Sequence, residues 1–346
     1  MKLQIFSFTE TGSHLNKKIC CKMEETGYSC EGYAPIKYAE QTGLLATEES
    51  ISEWVGKNWG RTAFLFIGAA GIAVRMIAPW VKDKFTDSPV LVMDEKGEYI
   101  IPLLSGHVGG AVGIARDIAK MTGAVPVITT ATDVQGKFAV DVFAVRNHLV
   151  ISDRRKAKLI SAAVLKNEKI AFYSEIPIKM DIPEELLRVD DVSKCSDREV
   201  ALWGISVKQY VDEEKENVLS LYPKNVIVGI GCRKGISSQV LMEGVECVLD
   251  ELKLMREQIC AFVSINLKKE EPGILEMTSK WDVPFYTFTA EELRTVESVS
   301  EGSEFVNKIT GVDNVCERAV KYYCPEGKLI LGKTKMEKMT VAVGVR

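Results

Sequence analysis

Apolar and polar positions divide the chain into short buried runs, glycine turns and amphipathic stretches. LQIFSFT (residues 3–9) alternates towards a buried strand, and ETGSHLNKKICCKMEETG (10–27) reads as a glycine turn and an amphipathic helix. YSCEGYA (28–34) is a second strand, so the chain opens in the manner of a parallel sheet. TAFLFIGA (62–69) is apolar throughout, as expected of a strand buried on both faces. AGIAVRMIAPWV (70–81) supplies a turn and a short helix that Pro79 ends. SPVLVMDEKGEYIIPLL (88–104) reads as strand, turn at Glu95–Gly97, and strand. LLSGHVGGAVGIARDIAK (103–120) continues as a loop and a helix, and AVPVITTATD (124–133) as another buried strand with polar residues at its end.

Beyond Asn147 the texture changes. An amphipathic helix (151–169) and the strand IAFYSE (170–175) precede charge-rich, loop-like stretches such as VDEEKEN (211–217). At Asn225 a second α/β pattern begins: NVIVGIGCRKG as strand and glycine turn, a helix from Ser237 or Ser238, then alternating strands and helices to KMTVAVGV (338–345). The expected fold class is α/β, with two α/β domains of mainly parallel sheets (1–146 and 225–346) joined by a small middle segment and linker (147–224).

Length adds a prior of about two domains, and 46% hydrophobic with 27% charged residues fits a chain that builds full cores. A net charge of −4 gives no reason to expect nucleic acid or an anionic membrane as partner. The N-terminal apolar run lacks the length and cleavage site of a signal peptide, and no run approaches a bilayer span. Nine scattered cysteines without a C-x-x-C pair read as reduced thiols of a cytoplasmic protein. Three histidines argue against a His-rich metal site, so no protein-bound metal is expected.

Four stretches carry candidate chemistry. In GIGCRKG the third glycine comes one residue late for a dinucleotide fingerprint, and no P-loop exists. Gly231 and Arg233 therefore read either as parts of a tight strand-to-helix turn or as receivers of an anion. In GAAGIAVRMIAP, Gly71 lies past a strand end and Arg75 in the first turn of the next helix, as a surface cation or a carboxylate clamp. SGHVGGA offers Ser105, His107, Gly109 and Gly110 between a strand and a helix. His107 can act as acid or base near neutral pH, and the setting also suits a structural histidine. PVITTATD places Thr129, Thr130 and Asp133 just past a strand, with Asp133 either shaping a turn or orienting His107.

The order GIAVRMIAP, then VMDEKGEYIIPLLSGHVGGA, then PVITTATDVQGKFAVD resembles the cobalt-precorrin-5A hydrolase (CbiG) family of anaerobic cobalamin biosynthesis. VIVGIGCRKGIS, GVDNVCERAV and LGKTKMEKMTVAV are similar to the C-terminal domain that this family shares with aerobic-pathway relatives, so the resemblance covers nearly the whole chain. It implies a hydrolase that opens the δ-lactone of cobalt-precorrin-5A with water and releases acetaldehyde, giving cobalt-precorrin-5B. Cobalt then belongs to the substrate and no cofactor is expected. The partner is a cobalt-corrinoid, with transient contacts to other pathway enzymes. On this resemblance His107 is the first choice for base and Asp133 its orienter or the alternative base. Gly109 and Gly110 amides are candidate donors to an oxyanion or carboxylate, and Gly71, Arg75, Ser105, Thr129, Thr130, Gly231 and Arg233 are substrate-binding candidates. Val112 stands where the family commonly has asparagine, which bears on any side-chain amide role there. A non-catalytic corrinoid carrier and a nucleotide-binding protein are the competing classes.

Overall fold

A computed structural model of the protein describes residues 2–47, 50–83, 86–106, 109–178, 181–192, 201–213, 215–297, 300, 307–308 and 310–346. The chain divides into two compact units, Met1–Val142 and Phe143–Arg346.

The first unit is built on β1 (Lys2–Ser7), α1 (Glu10–Glu25), β2 (Ser29–Ala34), α2 (Ile36–Thr42), β3 (Leu45–Ala46), α3 (Ile51–Lys57), β4 (Thr62–Ile67), α4 (Ala70–Ile77), β5 (Val90–Met93), β6 (Tyr99–Leu104), α5 (Ala111–Thr122), β7 (Val125–Pro126) and α6 (Ala131–Val134). Its seven strands lie in the order β3-β2-β1-β4-β5-β6-β7. β1 to β5 run parallel, whereas β6 pairs antiparallel with β5. The alternation of β1 explains the two cores. Leu3 and Ile5 face α1 and α5 with Ile19, Met23, Ile114 and Ile118. Phe6 faces α3 and α4, stacked on Tyr33 and Phe66. Strand β4 is buried at every position, as its unbroken apolar run requires.

The 124–133 segment departs from expectation. Only Val125 and Pro126 form a strand, and it lies at the sheet edge with Val125 exposed. Proline lacks the N–H that a longer ladder needs, which suits Pro126 to an edge.

The second unit opens with α7 (Val140–Arg146), which straddles the boundary, then β8 (Leu149–Ile151), α8 (Arg154–Leu165), β9 (Ile170–Ser174), β10 (Leu186–Arg188), β11 (Trp203–Val207) and β12 (Val218–Pro223). These strands form their own sheet, β10-β9-β11-β12-β8, parallel except for β8. The stretch read as mostly loop beyond IAFYSE thus holds three more strands. β10 has only three residues, and the run around β11 is short and flanked by charge, so neither shows a long apolar period.

The remaining elements are β13 (Val226–Cys232), α9 (Ser238–Glu251), β14 (Ile259–Ile265), α10 (Pro272–Trp281), β15 (Phe285–Phe288), α11 (Ala290–Arg294), α12 (Val315–Tyr323), β16 (Lys328–Lys335) and β17 (Met339–Val345). They build a third sheet, β15-β14-β13-β17-β16, with α9 and α10 on one face and α11 and α12 on the other. Among the described residues no helix is long and apolar enough to cross a membrane.

Candidate active site

Direction of the strands decides which candidate residues meet. Asp94–Gly97 turns the chain back on itself, so Leu104 at the end of β6 pairs with Val90 at the start of β5. The SGHVGGA loop therefore lies at the end of the sheet opposite to the β4–α4 loop, because Ile67, the last residue of β4, pairs with Met93 at the end of β5. Gly71 and Arg75 are thereby separated from Ser105, Gly109 and Gly110. Arg75 also sits in the last turn of α4 and not the first. The helix begins at Ala70, two residues after Gly68 with Ala69 as its N-cap, which leaves no longer loop to shift the arginine towards its start. Its Nη1 donates to the Gly71 carbonyl at 3.0 Å on an exposed surface.

The threonine segment does join the glycine loop. β7 runs parallel to β6, so the chain beyond it emerges at the same end as Ser105. A Cβ on Gly106 would stand 3.8 Å from Thr130 Oγ1 and 3.2 Å from a Val112 methyl. Thr130 caps α6 by position, and Thr129 beside it is exposed. From α5, Arg116 Nη2 reaches Asp133 Oδ1 at 3.2 Å. His107 lies outside the described residues.

The loop itself is held from within. Ser105 is buried with φ 52°, donates from Oγ to the Asp87 carbonyl at 2.8 Å, and accepts from Ala111 N–H at 3.2 Å. Its hydroxyl thus anchors the loop to the segment before β5. Val112 N–H donates to the Gly106 carbonyl. Gly109 is required by close approach, since a Cβ there would fall 2.5 Å from Ser105 Cβ. Gly110 is required by its conformation, φ 87°, as it starts α5. Among the described residues no hydrogen bond engages the N–H of Gly109 or Gly110. Two amides at the start of a helix can receive negative charge.

The GIGCRKG turn belongs to the second unit. Gly229 and Gly231 there are packing glycines: a Cβ would meet the Cys316 carbonyl at 2.1 Å and Thr340 Oγ1 at 2.5 Å. Gly235 takes φ 77° and donates its N–H to Glu271 Oε1 at 2.6 Å. Glu271 is buried, and Lys268 Nζ donates to its other oxygen at 2.8 Å. Burial alone would raise the Glu271 carboxyl, but Lys268 and the Gly235 N–H bring it below the ordinary range. Cys232 beside them is pushed up to about 11, chiefly by burial. Arg233 is exposed, and its N–H donates to the Lys338 carbonyl at 3.1 Å.

Sequence reasoning missed Arg116, Lys268 and Glu271. The spacing K-x-x-E just before Pro272 was a usable sign of the last two, since that proline marks a helix start. Arg116 gave no comparable signal. No group of three or more described His, Cys, Asp or Glu residues is placed to hold a metal ion, and the eight described cysteines are unbridged.

Residues 53–133 match the model for the N-terminal region of cobalamin synthesis G, 138–223 the cobalamin biosynthesis central region, and 226–344 the cobalamin synthesis G C-terminus. The chain is 39% identical over 350 residues to a cobalt-precorrin-5A hydrolase of Salmonella typhimurium, spanning 99% of this chain and 97% of that protein. The chain belongs to the cobalamin synthesis G family. A second relative, cobalt-precorrin-5A hydrolase of Priestia megaterium, is 34% identical over 291 residues, 81% of this chain and 78% of that one. A solved structure of a cobalamin biosynthesis protein G homolog from Sulfolobus solfataricus covers 99% of this chain and 97% of its own at 24% identity, with a TM-score of 0.44. In this cobalamin synthesis G chain the SGHVGGA and TTATD loops, Arg116 and Asp133 all fall within the N-terminal match or its last residue. The GIGCRKG turn falls within the C-terminal one.

Proposed function

We propose that this chain is a cobalt-precorrin-5A hydrolase, which opens the substrate's δ-lactone with water and releases acetaldehyde to give cobalt-precorrin-5B. The near end-to-end identity of 39% to a protein of that name carries the reading. Cobalt enters as part of the substrate, and the reaction needs no further cofactor. The protein works in the cytoplasm, without nucleic acid or membrane as partner, and meets other enzymes of the pathway only transiently.

Lactone opening needs a base for water and donors for the tetrahedral oxyanion. The paired glycine and threonine loops supply candidates for both. His107 takes the proton of the attacking water, and the Gly109 and Gly110 N–H groups receive the negative oxygen. The Arg116 contact holds one oxygen of Asp133 in a fixed direction, which favours Asp133 as an orienting group over Asp133 as the base. Water adds to the lactone carbonyl, and the ring oxygen leaves on the two-carbon arm as a hydroxyl. Loss of that hydroxyl proton and cleavage of the adjacent carbon–carbon bond then free acetaldehyde, with the bonding electrons passing to the macrocycle. Gly71 and Arg75 serve peripheral carboxylates of the substrate, Arg233 is a separate candidate for such a group, and Gly231 keeps its packing role against Thr340; Ser105, Thr129 and Thr130 shape the reacting loop.

Anaerobic incubation with cobalt-precorrin-5A tests the reading. Acetaldehyde and a changed corrinoid spectrum are expected. Tight binding by folded protein without acetaldehyde would instead mark a carrier.

A further inference from the structure

The pair of half-buried Lys268 and buried Glu271 has no part in lactone chemistry as derived above, yet Glu271 bonds the backbone of the GIGCRKG turn. Taking two charges out of water is costly unless geometry compensates. Here each partner is well used: Lys268 Nζ meets Glu271 Oε2 at 2.8 Å, and Glu271 Oε1 accepts from Gly235 N–H at 2.6 Å. The turn is clamped at two further points. The start of α10 presses on it so closely that a Cβ on Gly273 would stand 2.1 Å from the Ile236 carbonyl. Arg233 N–H is bound to the Lys338 carbonyl in the β16–β17 hairpin.

The clamps leave the cations of the turn outside. Arg233, Lys234 and Lys338 are all exposed, and none forms an ion pair with a described acidic residue, although Lys234 lies near enough to Glu271 to help lower its carboxyl. Leu267, 64% exposed, adds an apolar surface next to Lys268. A turn clamped in this way, with exposed cations at its surface, suits a ring system edged with carboxylates.

We infer that Glu271 is a positioning residue: through the left-handed Gly235 it fixes the turn so that Arg233, with Lys234 and Lys338, forms a carboxylate-binding edge for the corrinoid periphery. The inference rests on the functional reading above, and names how its C-terminal region takes part. Fixing the turn in advance removes the ordering cost from binding, so losing Glu271 weakens affinity without touching the reacting atoms.

A double-mutant cycle on the full chain tests it, with cobyrinic acid, a stable polycarboxylate corrinoid, as probe. Glu271→Gln keeps the size of the side chain and removes its charge. It is expected to raise Kd about tenfold with Arg233 present and less than twofold in an Arg233→Ala background. Losses that multiply instead of overlapping, or an Arg233→Ala variant that binds like wild type, would overturn the inference. If Glu271→Gln fails to fold, Lys234→Ala and Lys338→Ala, both at exposed positions, carry the test. Each is expected to weaken binding and flatten its salt dependence, and wild-type behaviour in both would overturn the inference. Loss of acetaldehyde release in the wild type would defeat the hydrolase reading alone, since probe binding is measured separately.

Discussion

Arg116 on α5 donates to Asp133 on α6 at 3.2 Å, tying the helix that follows the glycine loop to the turn that follows the threonines. The arginine is half-exposed, so the pair adds at most about 1 kcal/mol to stability. Its value is geometric. Arg116→Ala is expected to leave thermal unfolding nearly unchanged while lowering kcat about tenfold, because Asp133 loses its fixed direction. Parallel Tm and single-turnover measurements check this; wild-type turnover in Arg116→Ala would remove the pair from the mechanism.

His107→Ala is expected to fold and bind corrinoid, yet turn over about a hundredfold more slowly, the range for loss of a general base. The wild-type rate should fall in acid, where a histidine base is protonated. A pH–rate profile of both proteins shows whether that limb disappears in the variant.

The two glycines of the loop should separate by cause. Gly109→Ala drives a methyl to within 2.8 Å of the Ser105 carbonyl and is expected to cost roughly 1–3 kcal/mol with loss of most activity. Gly110→Ala meets nothing within 4 Å and suffers only from its φ of 87°, a cost of about 1–2 kcal/mol. Its N–H survives, so activity should stay within severalfold of wild type. Denaturant midpoints and kcat for the two variants check the order.

Folding lowers the Glu271 carboxyl below its unfolded value of about 4.3. Its contribution to stability is therefore complete above that value and is lost as pH falls through the folded one. Wild type should lose stability below about pH 4, and Glu271→Gln should lose less there. The Tm gap between them, expected at neutral pH, should narrow in acid. A gap constant from pH 7 to pH 3 would contradict the assignment.

Much of this architecture was readable from residue patterns. The unbroken apolar run of β4 and the strand–glycine–helix order at β13–α9 both form as their periodicity dictates. Two things were not readable. Middle strands of three to six residues with charged flanks carry too little periodicity to announce a sheet. The separation of Arg75 from the SGHVGGA loop depends on strand direction, which the hairpin at Asp94–Gly97 reverses; local sequence marks the turn but not which end of the sheet the next loop reaches. Asp133 stood out as a polar residue past an expected strand and lies instead on α6, whereas Arg116, on a helix surface seventeen positions earlier, becomes its partner only through tertiary packing.

The most direct measurement is acetaldehyde counted against corrinoid, with protein held well below cobalt-precorrin-5A and oxygen excluded. One acetaldehyde per substrate consumed, over many turnovers, is the result expected of the hydrolase. Corrinoid bound one-to-one by folded protein, with no acetaldehyde above the protein-free control, would contradict it.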